Sequence, residues 1–442
     1  MTTTITARCL CKAHTFSTTL PTSDLPLSAT CCHCDSCRHV TGSLYLSSTI
    51  WPNPNENLSS LKTYAFSKNI THYSCPTCST LIFCRSVDSN QEDSNKDSNE
   101  EGPGELEVLT GALENLPNLI KYTKHIFVGD TRDGGASIWF ARRVDDKEKP
   151  IPRWEGFSNG KNGSTELSEA WPGQWLSVVP VSAPASVPAA AMGGDHSQQA
   201  HQGQQGQQGE QREGRYKDRG KAYPKETPLT CHCGGVNLII RSAEDVVLDD
   251  SQKNWYIDPE SRRYYGGVDG CDSCRLQLGV DLAFEAFVGL DHIAFPSSDS
   301  EKGQGEGGKG EEKAKFPKTV FELAKAVSEK DPRMGKLGIY HSSEDVDRYF
   351  CTECSAAVFY AVHDRQDMVD VAAGLLRHPD GARADGLVAW NYGVVGWQED
   401  VVGGWREGLL RAATEQSEEW RVRHGVPKSW RRLQKEAGIK SE

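Results

Sequence analysis

The stretch Cys32-His33-Cys34-Asp35-Ser36-Cys37-Arg38, followed by Gly42, returns later in the chain as Asp269-Gly270-Cys271-Asp272-Ser273-Cys274-Arg275, followed by Gly279. Each copy lies between a C-x-C pair upstream (Cys9/Cys11 or Cys231/Cys233) and a C-x-x-C pair downstream (Cys75/Cys78 or Cys351/Cys354). Tyr73, Ser79 and Phe83 around the downstream pair answer to Tyr349, Ser355 and Phe359, and Val108 and Gly111 answer to Val371 and Gly374. Short turns of this kind aim two sulfurs at one point about 2.3 Å away, as tetrahedral zinc requires. The offset between copies is 222 at the first pair, 237 at the middle cluster, 276 at the third pair and 263 at Val108 and Gly111. Each change of offset marks an insertion. Val87–Glu105 and Ser297–Lys315 have the polar composition of exposed loops, and loop-closure entropy grows slowly enough for the fold to carry them.

The chain has 442 residues, 61 Asp and Glu against 49 Lys and Arg, a formal charge of −12, and 15 cysteines. An odd cysteine count cannot pair fully within one chain. No run approaches the ~18 apolar residues of a membrane span. The opening residues Met1–Phe16 are Thr-rich where a secretory signal needs an apolar stretch. A reducing, cytoplasmic compartment follows as the expectation, and with it metal rather than disulfide at the cysteines. A redox dithiol is the rival at any single C-x-x-C, where it usually sits at a helix start after a strand. The acidic balance and the lack of a basic tract argue against nucleic-acid partners, and the absence of a span argues against a membrane.

The expected fold is mainly β: two tandem zinc-binding β domains joined by a disordered linker, with a C-terminal helical segment. Boundaries fall at residues 5–157 for the first domain, 158–226 for a linker rich in Gly, Gln, Pro and Ser, 227–398 for the second domain and 399–442 for the helical extension. Strands are expected at Leu44–Ile50, Leu81–Arg85, Leu106–Leu109 and His125–Val128, then at Val236–Arg241, Leu282–Val288, Ala357–Val362 and Met368–Ala372. A short helix is expected at Phe321–Val327, and a longer one over Trp405–Lys435, broken near Gly425–Pro427.

Cys9, Cys11, Cys75 and Cys78 are expected to form one closed four-thiolate site, and Cys231, Cys233, Cys351 and Cys354 its twin. Four sulfurs fill zinc's tetrahedron and point to structural roles. Cys32, Cys34 and Cys37 supply only three thiolates, the arrangement of a catalytic zinc with an open position for a thiol. The alternative is a closed site whose fourth ligand is Cys31, His33, His39 or Cys84. In the second copy Asp269 stands where Cys32 stands in the first. Asp269, Cys271 and Cys274 either hold zinc more weakly or have lost it, which makes the second copy a structural or regulatory partner. Arg38 either pairs with a substrate carboxylate or bonds carbonyls of its own cluster.

The succession C-x-C, C-H-C-x-x-C-R-x-x-x-G and C-x-x-C-S, carried by Cys9/Cys11, Cys32–Gly42 and Cys75–Ser79, resembles the glutathione-dependent formaldehyde-activating enzyme family, also named for centromere protein V. Cys231–Gly234, Cys271–Gly279 and Cys351–Ser355 carry it in the second copy. The resemblance spans roughly residues 5–150 and 228–395 and implies Mss4-like domains with two kinds of zinc. It further implies a carbon–sulfur lyase-type reaction, joining glutathione as co-substrate to formaldehyde or a related adduct. Three positions depart from the pattern: Lys12 in place of a common Gly, the extra Cys31, and Asp269. The alternative function is a noncatalytic zinc scaffold that binds a protein partner; chromatin or microtubule association is disfavoured by the acidic charge.

Overall fold

The computed structural model describes residues 1–87, 104–158, 164–169, 171–172, 223–248, 254–296 and 315–438. Most of the expected linker and of the two insertions lies outside the described residues. In the first half the strands are β1 (Thr2–Arg8), β2 (Thr15–Pro21), β3 (Leu27–Cys32), β4 (Leu46–Ile50), β5 (Lys62–Ser67), β6 (Ile70–Ser74), β7 (Leu81–Ser86), β8 (Leu106–Leu109), β9 (Ile120–Ile126), β10 (Arg153–Trp154) and β11 (Glu166–Leu167). In the second half they are β12 (Glu226–Thr230), β13 (Asn237–Arg241), β14 (Tyr264–Asp269), β15 (Ala283–Gly289), β16 (Ile293–Ala294), β17 (Leu337–Ser343), β18 (Val346–Cys351), β19 (Ala357–Val362), β20 (Met368–Ala372) and β21 (Val388–Trp390). The helices are α1 (Asp35–Thr41), α2 (Asp272–Leu278), α3 (Val320–Ser328), α4 (Trp405–Arg423) and α5 (Trp430–Glu436). The protein is therefore mainly β, as its sequence indicates.

One sheet order occurs twice. The first large sheet contains the run β9-β3-β4-β8-β7-β6-β5, and the second is β21-β14-β15-β20-β19-β18-β17. In both runs only the β3/β9 or β14/β21 pairing is parallel. A bulge before the second hairpin residue recurs too, between Ala65 and Ser67 and between His341 and Ser343. Because side chains alternate with period 2, matching register puts corresponding residues on the same face. His72 lies opposite Cys84 and Arg348 opposite Tyr360.

The halves meet around four glycines. The Gly111 N–H donates to the Gly279 carbonyl at 3.0 Å, and the Gly374 N–H to the Gly42 carbonyl at 2.9 Å. Gly42 and Gly279 end α1 and α2 in the left-handed region, with φ of +86° and +75°. A Cβ on Gly374 would lie 2.0 Å from the Ser43 carbonyl oxygen, and one on Gly111 2.2 Å from the Val280 nitrogen. No side chain fits at either point, so the backbones pack directly.

An aromatic core crosses the same boundary. Trp139 packs on Phe284 at 4.9 Å and on Tyr392 at 5.3 Å between ring centroids, while Tyr45 reaches Phe284 at 6.2 Å. Stacked and edge-to-face pairs of this kind add about 0.5–1.5 kcal/mol each to the area they bury.

The C-terminal helix is tied to both halves. Leu410 covers Gly270, whereas the Gln416 side chain receives the Arg142 N–H at 2.8 Å and donates to its carbonyl at 3.2 Å. Arg406 and Asp281, both fully buried, form an ion pair with Nε 2.7 Å from Oδ1. Asp281 also accepts from Thr110 Oγ1 at 2.5 Å and from the Tyr122 hydroxyl. One carboxylate of the second half therefore holds two hydroxyls of the first and the guanidinium of α4. Among the described residues no helix is long and apolar enough to cross a membrane.

Candidate metal and thiol site

Each cysteine cluster forms where a strand ends or a tight turn reverses the chain. At the first, Cys9 and Cys11 Sγ are 3.5 Å apart, and Cys11 and Cys75 Sγ 3.6 Å. At its twin, Cys231–Cys233 and Cys233–Cys351 measure 3.6 and 3.5 Å. Ligands 2.3 Å from a tetrahedral zinc would stand about 3.8 Å from one another, so these sulfurs already outline the coordination shell. In both clusters all four sulfurs lie within 4.8 Å of one another. Backbone N–H groups point at them: His14 N to Cys9 Sγ at 3.3 Å, Cys11 N to Cys78 Sγ at 3.4 Å, Gly235 N to Cys233 Sγ at 3.3 Å and Val236 N to Cys231 Sγ at 3.2 Å. The turn after the first pair takes a positive φ at Lys12 (+64°), where the second half has Gly234 at +73°. Lys12 thus keeps the conformation of the expected glycine at about 1 kcal/mol of strain.

Cys32, Cys34 and Cys37 converge as the sequence indicates. Cys32 ends β3, Cys34 caps α1, and Cys37 lies in the first turn of that helix. The Cys37 N–H donates to Cys34 Sγ at 3.3 Å, and Cys32 and Cys34 Sγ are 3.6 Å apart. Hydrogen bonds from Cys32 and Cys37 pull the Cys34 thiol down to about 3, while the same sharing pushes Cys32 and Cys37 up. One negative charge is thus spread over three sulfurs; ionising all of them needs a cation at their centre.

None of the suggested fourth ligands joins the trio within 4.8 Å. Cys31 is fully buried in the core, on the opposite face of β3 from Cys32. His33 turns to His125, with Nε2 2.9 Å from Nδ1. Cys84 Sγ lies 3.6 Å from Glu107 Oε2. His39 is buried and pushed down to about 3, chiefly by burial, and its Nε2 has no hydrogen-bond partner. Arg38 pairs with Asp35 rather than with carbonyls, and its Nε and Nη1 are buried without a partner.

Sequence reading missed the groups that surround the trio. His72 on β6 is 3% exposed, and burial pushes it down to about 3, with a smaller opposing effect from the Cys34 charge. Its ring stacks on Phe66 at 4.3 Å, and the other side of Phe66 carries His232 at 4.7 Å. His232 belongs to the second half, yet its backbone N–H donates to the His39 carbonyl at 2.9 Å and its Nδ1 lies 2.7 Å from the Tyr64 hydroxyl. The Cys34 charge reaches His232 as well. Both halves therefore wall the three-cysteine site. The signal was present in the sequence only as a lone histidine inside Cys231-His232-Cys233, with nothing to say what it would face.

Asp269, Cys271 and Cys274 also come within 4.8 Å of one another. There Arg348 Nη1 lies 3.6 Å from Cys274 Sγ, so a cation on that sulfur would meet a fixed positive charge. A separate cleft of about 210 Å³ lies between the Pro150–Arg153 segment and α4, lined by Trp171, Gln416 and Trp420 among others. Its described lining carries glutamates and arginines but no cysteine, and thiol chemistry belongs to the cysteine clusters.

Comparison with known proteins agrees over part of the chain. No curated protein and no solved structure matches it. The family model described as glutathione-dependent formaldehyde-activating enzyme matches residues 4–130, the segment that carries Cys9, Cys11, Cys32, Cys34, Cys37, Cys75 and Cys78.

Proposed function

We propose that the protein is a zinc-dependent carbon–sulfur lyase-type enzyme that joins a small thiol, such as glutathione, to formaldehyde or a related adduct. In this reading it is two tandem Mss4-like domains: the first is active, and the second supports it. Cys9, Cys11, Cys75 and Cys78, and their twins, would hold structural zinc. Cys32, Cys34 and Cys37 would hold the zinc that faces substrate. The observation that carries the reading is a trio of sulfurs spaced for tetrahedral zinc that no fourth His, Cys, Asp or Glu joins among the described residues. A zinc held there would lower the pKa of an incoming thiol and keep it as thiolate.

The chain's own residues orient the reactants. The neutral His72 and the Phe66–His232 stack stand within reach of the Cys34 charge, beside the trio. The two buried, unpartnered nitrogens of Arg38, one turn along α1 from Cys34, offer donors to a carboxylate or a developing oxyanion. Bringing aldehyde and thiol together in one orientation is chiefly a proximity effect.

Exchange NMR of formaldehyde with glutathione tests this reading. The full chain should accelerate exchange, and Cys34→Ala should return it to the uncatalysed rate. Equal rates in both proteins, at the uncatalysed level, would instead favour a zinc scaffold.

A further inference from the structure

The two halves share a sheet order, yet around the middle cluster they differ at five positions that face one another. Where the first half has Cys32, Val40, Phe66, His72 and Cys84, the second has Asp269, Gln277, Ser342, Arg348 and Tyr360. Three of these changes serve a fourth, Arg348. Its Nη1 donates to Gln277 Oε1 at 2.8 Å, its Nε donates to Ser342 Oγ at 3.1 Å, and its guanidinium lies 4.8 Å over the Tyr360 ring. The arginine is 4% exposed, so its charge is fixed in place beside Cys274 Sγ, at 3.6 Å. The fifth change removes one thiolate, and the Asp269 carboxylate that replaces it already accepts the Cys271 N–H at 2.6 Å.

A unit charge and a zinc ion held about 5 Å apart repel by several kcal/mol even at an effective dielectric constant of about 20. The same guanidinium supplies the positive charge that a thiolate at Cys274 needs. A site with a built-in cation and one thiolate fewer, its carboxylate already engaged by a backbone N–H, does not fit zinc.

What remains is a C-x-x-C pair that follows a strand and opens a helix. β14 ends at Asp269, Cys271 caps α2, and the Cys274 N–H donates to Cys271 Sγ at 3.3 Å. Cys271 is partly exposed, and Cys274 is 3% exposed. An outer sulfur that attacks and an inner sulfur that resolves is the arrangement thiol–disulfide exchange requires. We propose that Cys271 and Cys274 form a metal-free, redox-active dithiol that exchanges with small disulfides of the glutathione disulfide class.

The Cys271 thiolate attacks one sulfur of the small disulfide, forming a mixed disulfide and releasing one thiolate. Cys274 then attacks Cys271 Sγ, closing the internal disulfide and releasing the second thiolate. The two protons of the protein dithiol end on the two released thiols. The protein loses two electrons and the small disulfide gains them. This proposal is independent of catalysis at Cys34.

The test uses the full, zinc-loaded chain equilibrated with mixtures of reduced and oxidised glutathione, then alkylated and mapped by mass spectrometry beside a zinc count. The expected result is three zinc ions per chain and a Cys271–Cys274 disulfide whose yield follows the glutathione ratio, reverses in excess reduced glutathione and leaves the zinc count unchanged. Cys34→Ser should keep that disulfide while lowering the count to two. Asp269→Cys with Arg348→His should raise the count to four and protect the pair. A fourth zinc in the unaltered chain that is lost in Cys271→Ser would overturn the proposal. So would three zinc ions with Cys271 and Cys274 reduced at every ratio.

Discussion

Arg406→Met asks whether the halves and the C-terminal helix stand or fall together. Arg406 is fully buried. Its Nε lies 2.7 Å from the carboxylate of the equally buried Asp281, and its Nη2 donates to the carbonyls of Thr110 at 2.5 Å and Leu113 at 3.0 Å. Methionine keeps most of the stem's packing and removes the charge. Asp281 is then left with the hydroxyls of Thr110 and Tyr122, and the Thr110 carbonyl loses this donor. Leu113 keeps a second donor in Arg275, at 3.0 Å. Breaking a buried ion pair costs about 3–5 kcal/mol. Arg406 Nη1 is itself buried without a partner, so its removal returns about 1 kcal/mol, leaving a net loss of about 3 kcal/mol. Urea unfolding of the zinc-loaded protein, followed by tryptophan fluorescence, reads this directly. Asp281→Leu combined with Arg406→Met should recover part of the loss, because no lone charge stays buried. A single variant that loses less than about 1 kcal/mol would refute the claim that Asp281 locks three parts of the chain.

Gly374→Ala places a Cβ 2.0 Å from the Ser43 carbonyl oxygen, a backbone clash no rotamer relieves. It should cost at least about 3 kcal/mol in the same assay or leave the chain insoluble, whereas Gly156→Ala, with its nearest neighbour at 3.6 Å, should stay within about 1 kcal/mol. Acid should destabilise the fold through its neutral buried histidines. Burial holds His72 at about 3 and His125 at about 4, so the unfolded chain takes up their protons first as pH falls below about 6.5. Each then removes up to about 1.4 kcal/mol per pH unit, down to its own folded value, and His125→Asn should flatten that slope in urea midpoints taken from pH 6.5 to 5. Cys78→Ser, which opens a four-sulfur site, should lower both zinc content and thermal stability. Cys34→Ser should lower zinc content by one ion and leave the unfolding temperature within a few degrees.

Much of the site was legible because cysteine spacing carries its own geometry: two short turns that aim sulfurs at one point need no tertiary information. Strands rich in Val, Leu and Phe were legible for a similar reason, and Leu106–Leu109, Ala357–Val362 and Met368–Ala372 fall where they were expected. Thr2–Arg8 and Thr15–Pro21 were missed. Half of their residues are threonine, and they bury only Ile5, Ala7, Phe16 and Leu20, too few apolar residues to mark a strand. Helices α1 and α2 were missed because they are seven residues long and are capped by a metal-type cysteine rather than by Ser or Asp. The expected strand His125–Val128 runs instead from Ile120 to Ile126, because the parallel pairing with β3 takes in the half-buried Lys121 and Lys124. The walls of the three-cysteine site were hidden for another reason. His232 and His39 lie far apart in sequence and meet only because the glycines let the halves approach, a contact no local pattern encodes.

Replacing zinc with cobalt and titrating the chain with glutathione reads out whether the three-cysteine metal centre is open to a thiol. An open site gives new thiolate-to-cobalt charge-transfer absorption that saturates at one glutathione per chain, is lost in Cys34→Ser and is retained in Cys271→Ser. Unchanged absorption at millimolar glutathione, with Cys32, Cys34 and Cys37 loaded, would mean a closed site and would contradict the proposed function.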